Sequence, residues 1–163
     1  RYDRGGLAIM AEAPGAQEAA TSKPLVGAAG RIFDALLYDA GIDRSEILIL
    51  NRVKCRPPGN RLASAPGSVE ACDEWLIAEL KEYDPATVVV MGQTALSTVF
   101  GATSRVGATR GTTRATGPES PYGARVFVAT YHPASLMPNR SPQNRPLVID
   151  DLRLAVTRRQ QSR

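Results

Sequence analysis

Sulfur and imidazole are scarce in this chain: its 163 residues include two cysteines, Cys55 and Cys72, and one histidine, His132. Two thiols cannot make the disulfide framework of a small secreted scaffold, so a hydrophobic core must carry the fold and an intracellular setting is favoured. No apolar run approaches the ~20 residues of a membrane span, and neither a repeat nor a low-complexity tract is present. No signal peptide is visible, and the chain opens on Arg1 rather than methionine, which leaves room for residues upstream. The glycine fingerprint that cradles a dinucleotide phosphate is missing after the first apolar run, which disfavours a small-nucleotide binder.

What is present is basic. The net charge is +4 and the isoelectric point is near 9.4, values compatible with a polyanionic partner. Arg52, Lys54, Arg56 and Arg61 crowd one loop, and Arg140 and Arg145 another. On charge alone these are either solvated loop residues or phosphate contacts.

Four short apolar runs read as strands: 7–10, 47–50, 87–91 and 125–129. Helical periodicity fills the gaps. In "RIFDALLYDAG" one face carries Ile32, Phe33, Leu36, Leu37 and Ala40, and Gly41 stops the helix. "SVEACDEWLIAELKEY" reads as one helix with Ser68 as its N-cap, "QTALSTVFG" as a short helix, and "PLVIDDLRLAVTRR" as the closing one. The span 101–123, rich in glycine and threonine, reads as an excursion or hairpin. Four strand–helix alternations predict one domain over residues 1–163, a three-layer α/β/α sandwich around a four-stranded parallel sheet. In such folds ligands bind beyond the carboxyl ends of the strands.

The unusual residues fall there. Glu12 sits in "AEAPGAQE", boxed in by small residues where the first strand gives way to a turn. It is either a loop acid pairing locally or a carboxylate able to orient water and stabilise positive charge. Asn51 ends the second strand, and its amide suits either a turn or the edge of a nucleobase. His132 follows the fourth strand in "TYHPASLMP", where Pro133 biases it toward extended backbone. Cys55 and Cys72 are either two buried thiols or half of a four-thiolate cluster site.

The ordered segments "AEAPGAQE", "KPLVGAAGRIFDALL", "NRVKCRPPGNR", "CDEWL", "VVVMGQTAL", "RG", "TYHPASLM" and "DDLR" resemble family 4 of the uracil-DNA glycosylase superfamily, over about residues 7–153. The resemblance implies a hydrolase that flips uracil out of DNA and cleaves its glycosidic bond at the start of base excision repair. It implies Glu12 and His132 as catalytic residues, the acid near the anomeric carbon and the attacking water, the imidazole at uracil O2. Ala13, Gly15, Leu25 and Asn51 would contact the base. Arg56, Arg61, Ser135 and Leu136 would contact DNA, with Leu136 wedging into the duplex from the loop 134–137. Cys55 and Cys72 match the second cysteine pair of the family's [4Fe–4S] cluster. A monomer acting on uracil-containing DNA in the cytoplasm, at the nucleoid, completes the expectation.

Three departures stand out. Leu25 replaces the phenylalanine that stacks on the base, and base–aromatic stacking is worth roughly 1–3 kcal/mol. Weaker base binding, or a preference for another altered pyrimidine, follows. Ala11 replaces the glycine before Glu12. Only two of four cluster cysteines occur: either the other pair lies upstream of Arg1, where the family has it, or the cluster has been lost. In addition, "RPPGNRLASAPGS" carries no histidine, which excludes the covalent capture of uracil-DNA that one subgroup performs through such a loop.

Overall fold

The computed structural model describes residues 2–162. Its strands are β1 (Leu7–Ala11), β2 (Ile47–Asn51), β3 (Thr87–Met91), β4 (Thr113–Thr116) and β5 (Arg125–Thr130). Its helices are α1 (Ala16–Thr21), α2 (Ala28–Ala40), α3 (Ser68–Ala71), α4 (Asp73–Tyr83), α5 (Gln93–Phe100), α6 (Val106–Thr109) and α7 (Arg145–Gln161). One sheet runs in the order β2-β1-β3-β5-β4. The first four are parallel, and β4 pairs antiparallel with β5. The sheet is therefore mixed and five-stranded rather than four-stranded and parallel. The extra strand is β4, whose residues Thr113, Arg114 and Ala115 are exposed. It lies at an edge and buries no apolar face, so it carries none of the patterning that marked the other strands.

Alternation along the strands feeds two cores. Leu7, Ile9, Ala11, Val89, Met91 and Val128 pack with Phe33, Leu36 and Leu37 of α2 and with Val148 and Leu152 of α7. The opposite face, with Ala8, Met10, Val88, Val90 and Phe127, packs against Leu76 and Leu80 of α4 and Leu96 of α5. Both sides of β1 and β3 are thus dry, as expected of parallel strands covered by helices. Gly41 ends α2 at φ +74°, its N–H reaching back to the last turn.

The expected helix from Ser68 breaks in two at Cys72. Gly67, not Ser68, precedes the first turn, and the Ser68 hydroxyl is buried without a partner among the described residues. The break follows from Arg52. Its guanidinium is buried and donates to the Val69 carbonyl at 2.8 Å while pairing with Asp73, which pins the chain on both sides of Cys72.

Candidate active site

The order β2-β1-β3 means that the chain leaves β1 on one side and β3 on the other, and a crevice opens where the connections diverge. A cavity of about 560 Å³ lies there. Glu12, Ala13 and Gly15 line it from the β1 loop, Asn51 from β2, and His132 and Ser135 from the β5 loop. Leu25 closes the side facing α2. Residues spread over 120 positions of sequence therefore meet at one sheet edge.

Each side chain is held by identifiable bonds. The β1–β2 ladder runs past the strand ends, with Arg52 N–H donating to Ala11 O and Val53 N–H to Glu12 O. That fixes the Glu12 backbone, and the Thr94 hydroxyl donates to Glu12 Oε2 at 2.8 Å. Asn51 is held through its carbonyl, which accepts from Lys54 Nζ at 2.6 Å, leaving its amide to the cavity.

His132 takes the extended conformation that Pro133 favours, φ −71° and ψ 142°. Its Nδ1 accepts the Ala134 N–H at 3.0 Å, so the proton of a neutral ring sits on Nε2. Burial pushes the His132 pKa below its ordinary 6.5; the Glu12 charge opposes this and the Arg140 charge adds to it. The imidazole is thus neutral and a one-sided donor. Gly92, at φ +88°, makes room for it: a β-carbon there would sit 3.0 Å from His132 Cβ. Two residues before His132, the Thr130 hydroxyl donates to the buried Asp151 at 2.7 Å, and Asp151 pairs with Arg110. The "RG" and "DDLR" segments thereby anchor the end of β5.

Two other expected residues sit differently. Leu136 is 5% exposed and belongs to the core with Leu25 and Phe33, so it cannot be the protruding wedge. The exposed tip of that loop is Pro138 to Arg140. Ser135 lines the cavity, but its hydroxyl donates inward to the His132 carbonyl at 2.7 Å.

The basic loop divides as well. Arg52 is buried against Asp73, and Lys54 pairs with Glu79. Arg56 and Arg61 are exposed, Arg56 bonding only to Asn60 among the described residues. In the other loop, Arg145 pairs with Asp39, whereas Arg140 lines the cavity mouth.

Sequence reasoning missed Thr94 and Glu18, and singled out Arg140 only as a loop cation. Glu18 lines the cavity and accepts from Val26 and Gly27 N–H at 3.1 and 2.9 Å. Burial, the largest single influence, would raise its pKa, but the backbone amides of Gly27, Glu18, Val26 and Gly15 together hold the carboxyl below its usual range. The signal for Glu18 was the glycine three residues before it: a β-carbon on Gly15 would meet Glu18 Oε2 at 2.7 Å.

Cys55 and Cys72 line a second cavity of about 860 Å³, together with Lys54, Trp75 and Glu79. Cys55 is exposed, so a pair of buried thiols is not what this fold contains. Lys54 N–H donates to Cys72 Sγ at 3.4 Å. Among the described residues no group of three or more His, Cys, Asp or Glu side chains is placed to hold a metal. The two thiols share the lining of one cavity and do not by themselves complete a four-thiolate set. No helix among the described residues is long and apolar enough to cross a membrane.

A family model described as the uracil DNA glycosylase superfamily matches residues 3–153. A type-4 uracil-DNA glycosylase of Thermotoga maritima is 36% identical over 150 residues, 91% of this chain and 75% of that protein. The Saccharolobus solfataricus type-4 protein is 31% identical, covering 90% of this chain and 68% of its own length. For the Archaeoglobus fulgidus type-4 protein the figures are 35% identity, 60% and 49%.

Proposed function

Since the chain belongs to the uracil-DNA glycosylase superfamily, we propose that it hydrolyses the N-glycosidic bond of uracil in DNA and so initiates base excision repair. The observation that carries this reading is the convergence of Glu12, Asn51 and His132 on one cavity at the carboxyl edge of the sheet. A duplex hides the glycosidic bond, so the nucleotide must rotate out at a cost of a few kcal/mol. Uracil then enters between the Ala13–Gly15 backbone and Leu25, with the Asn51 amide on its pyrimidine edge. As the bond to C1′ breaks, the electron pair leaves with uracil and positive charge grows on the sugar. The Nε2–H of neutral His132 donates to O2 of the departing anion, and Glu12 stabilises the sugar cation and orients the water. Water oxygen bonds to C1′, its proton is released, and uracil departs from an abasic site. Removing one such preorganised donor typically costs ~3–4 kcal/mol of transition-state stabilisation.

Arg56, Arg61 and Arg140 fit phosphates rather than base edges, as suits an enzyme indifferent to flanking sequence. Residues 1–163 act as one catalytic domain, a monomer working on DNA in the cytoplasm. Cys55 and Cys72 would supply two thiolates to a [4Fe–4S] cluster, and such a group would tie the loop after β2 to the residue before α4.

Oligonucleotides carrying uracil in U·G, U·A and single-stranded contexts, treated with alkali after incubation, test the reading directly. Cleavage that falls at least ~10-fold in Glu12→Gln and His132→Ala at preserved DNA affinity supports it. Wild-type rates in both variants would remove the assigned roles. The missing aromatic ring at Leu25 supports a second reading, a glycosylase for another altered pyrimidine, and faster cleavage of such a base than of uracil would favour it.

A further inference from the structure

The wall of the cavity contributed by Leu25 is built on unfavourable backbone. Leu25 has φ +48°, a left-handed conformation that a branched side chain avoids. Something must hold it there. Its carbonyl lies against α2 where Gly30 has no side chain: a β-carbon on Gly30 would sit 2.0 Å from Leu25 O. Arg44, nineteen residues downstream, donates from Nη2 to the carbonyls of both Pro24 and Leu25, at 2.7 and 3.0 Å. On the other side of the same turn, Glu18 receives the next two amides, Val26 and Gly27. Arg44 is itself oriented twice, by an ion pair with Asp34 and by the face of Phe33, 5.7 Å from ring centroid to guanidinium. It does not line the cavity.

We infer that Arg44 is a positioning residue for base recognition: it holds residues 24–25 in the conformation that presents the Leu25 side chain to the flipped pyrimidine. The inference rests on the glycosylase reading and deepens it by naming what sets the base-facing wall. A surface ion pair such as Arg44–Asp34 contributes little to global stability. The two carbonyl bonds, by contrast, act on one turn. Lysine cannot replace the arginine. Its single ammonium cannot bridge the two carbonyls while also pairing with Asp34 and lying flat on Phe33.

The test compares wild type, Arg44→Ala and Arg44→Lys in four measurements. These are inhibition by free uracil, kcat/KM on a U·G duplex, affinity for a duplex with a reduced abasic-site analogue, which presents no base, and amide hydrogen exchange. Both variants should show inhibition by uracil weakened roughly tenfold, with kcat/KM falling by a similar factor. Affinity for the abasic duplex should stay within about twofold of wild type. Amide exchange at Val26 and Gly27 should quicken by roughly tenfold in both. If Arg44→Ala does not fold, Arg44→Lys carries the same expectations. An active enzyme whose uracil inhibition is unchanged in the variants overturns the role of Arg44 and leaves the glycosylase reading standing, as does full rescue by lysine. A wild-type protein that releases no uracil from any duplex overturns both.

Discussion

Thr94→Val exchanges a hydroxyl for a methyl of nearly the same shape and removes the donor that Glu12 Oε2 accepts at 2.8 Å. Thr94 sits in the first turn of α5, and its carbonyl accepts from Thr98, which in turn accepts from the buried Arg52. The hydroxyl is therefore presented by a braced element, and loss of it leaves the carboxylate free to swing. A hydrogen bond to a charged group is worth about 1.5–3 kcal/mol net. If Glu12 needs that orientation only as sugar cation develops, the whole amount appears in the barrier, about 10- to 150-fold in rate. Thr94 is half-buried, so water can replace part of the bond, which puts the expected loss near the lower figure. Single-turnover excision from a U·G duplex with saturating enzyme reads this, and binding to an abasic analogue should not change. Thr94→Ser keeps the hydroxyl and should recover most of the rate. A wild-type rate in Thr94→Val, or a serine variant as slow as the valine one, would refute the reasoning.

Gly92→Ala places a residue at φ +88° and ψ 173°, a region essentially reserved for glycine, and pushes on His132. A cost of about 2 kcal/mol follows, roughly 4–8 °C in Tm, together with slower excision; an unchanged melt would rule this out. His132 is the only histidine, so one imidazole C–H resonance follows its titration. Because burial lowers the pKa below 6.5, the unfolded chain binds this proton more readily than the folded one. Its contribution to stability is complete above 6.5 and drains away as pH falls from there toward the folded value. A resonance midpoint at or above 6.5 would contradict the desolvated ring. Arg56→Ala and Arg61→Ala should each weaken DNA binding alike across sequences and reduce the salt slope by about 1; an unaltered slope in both would assign them to the fold.

Much of this arrangement was legible in the sequence because burial leaves periodic marks. Strands β1, β3 and β5 are apolar on both faces, and Phe33, Leu36 and Leu37 return at helical spacing. The carboxyl ends of β1, β2 and β5 could be located, and with them Glu12, Asn51 and His132. The errors arise where long-range bonding decides. Ser68 looks like a cap, yet Arg52 breaks the helix four residues on by gripping Val69 and Asp73. Leu136 follows a histidine–proline turn and looks like an exposed tip, but the turn tucks it into the α2–α7 core. Strand β4 escaped because an edge strand needs hydrogen-bond partners more than apolar residues. Thr94, Glu18 and Arg44 act through hydrogen bonds to residues distant in sequence, which no local pattern announces.

Pairing Arg52 with Asp73 and Lys54 with Glu79 has a consequence for how the protein travels. A sequence-independent grip grows with each phosphate neutralised, and so does the time spent on undamaged DNA. By spending two of four loop cations on its own carboxylates, the chain keeps a small electrostatic footprint. Lesions are rare, so a searching protein gains more from brief visits to many nucleotides than from long ones to a few. On the glycosylase reading, the Arg52–Asp73 pair that holds the Cys72 turn should also shorten visits to undamaged DNA and leave the choice of stopping place to base capture in the cavity.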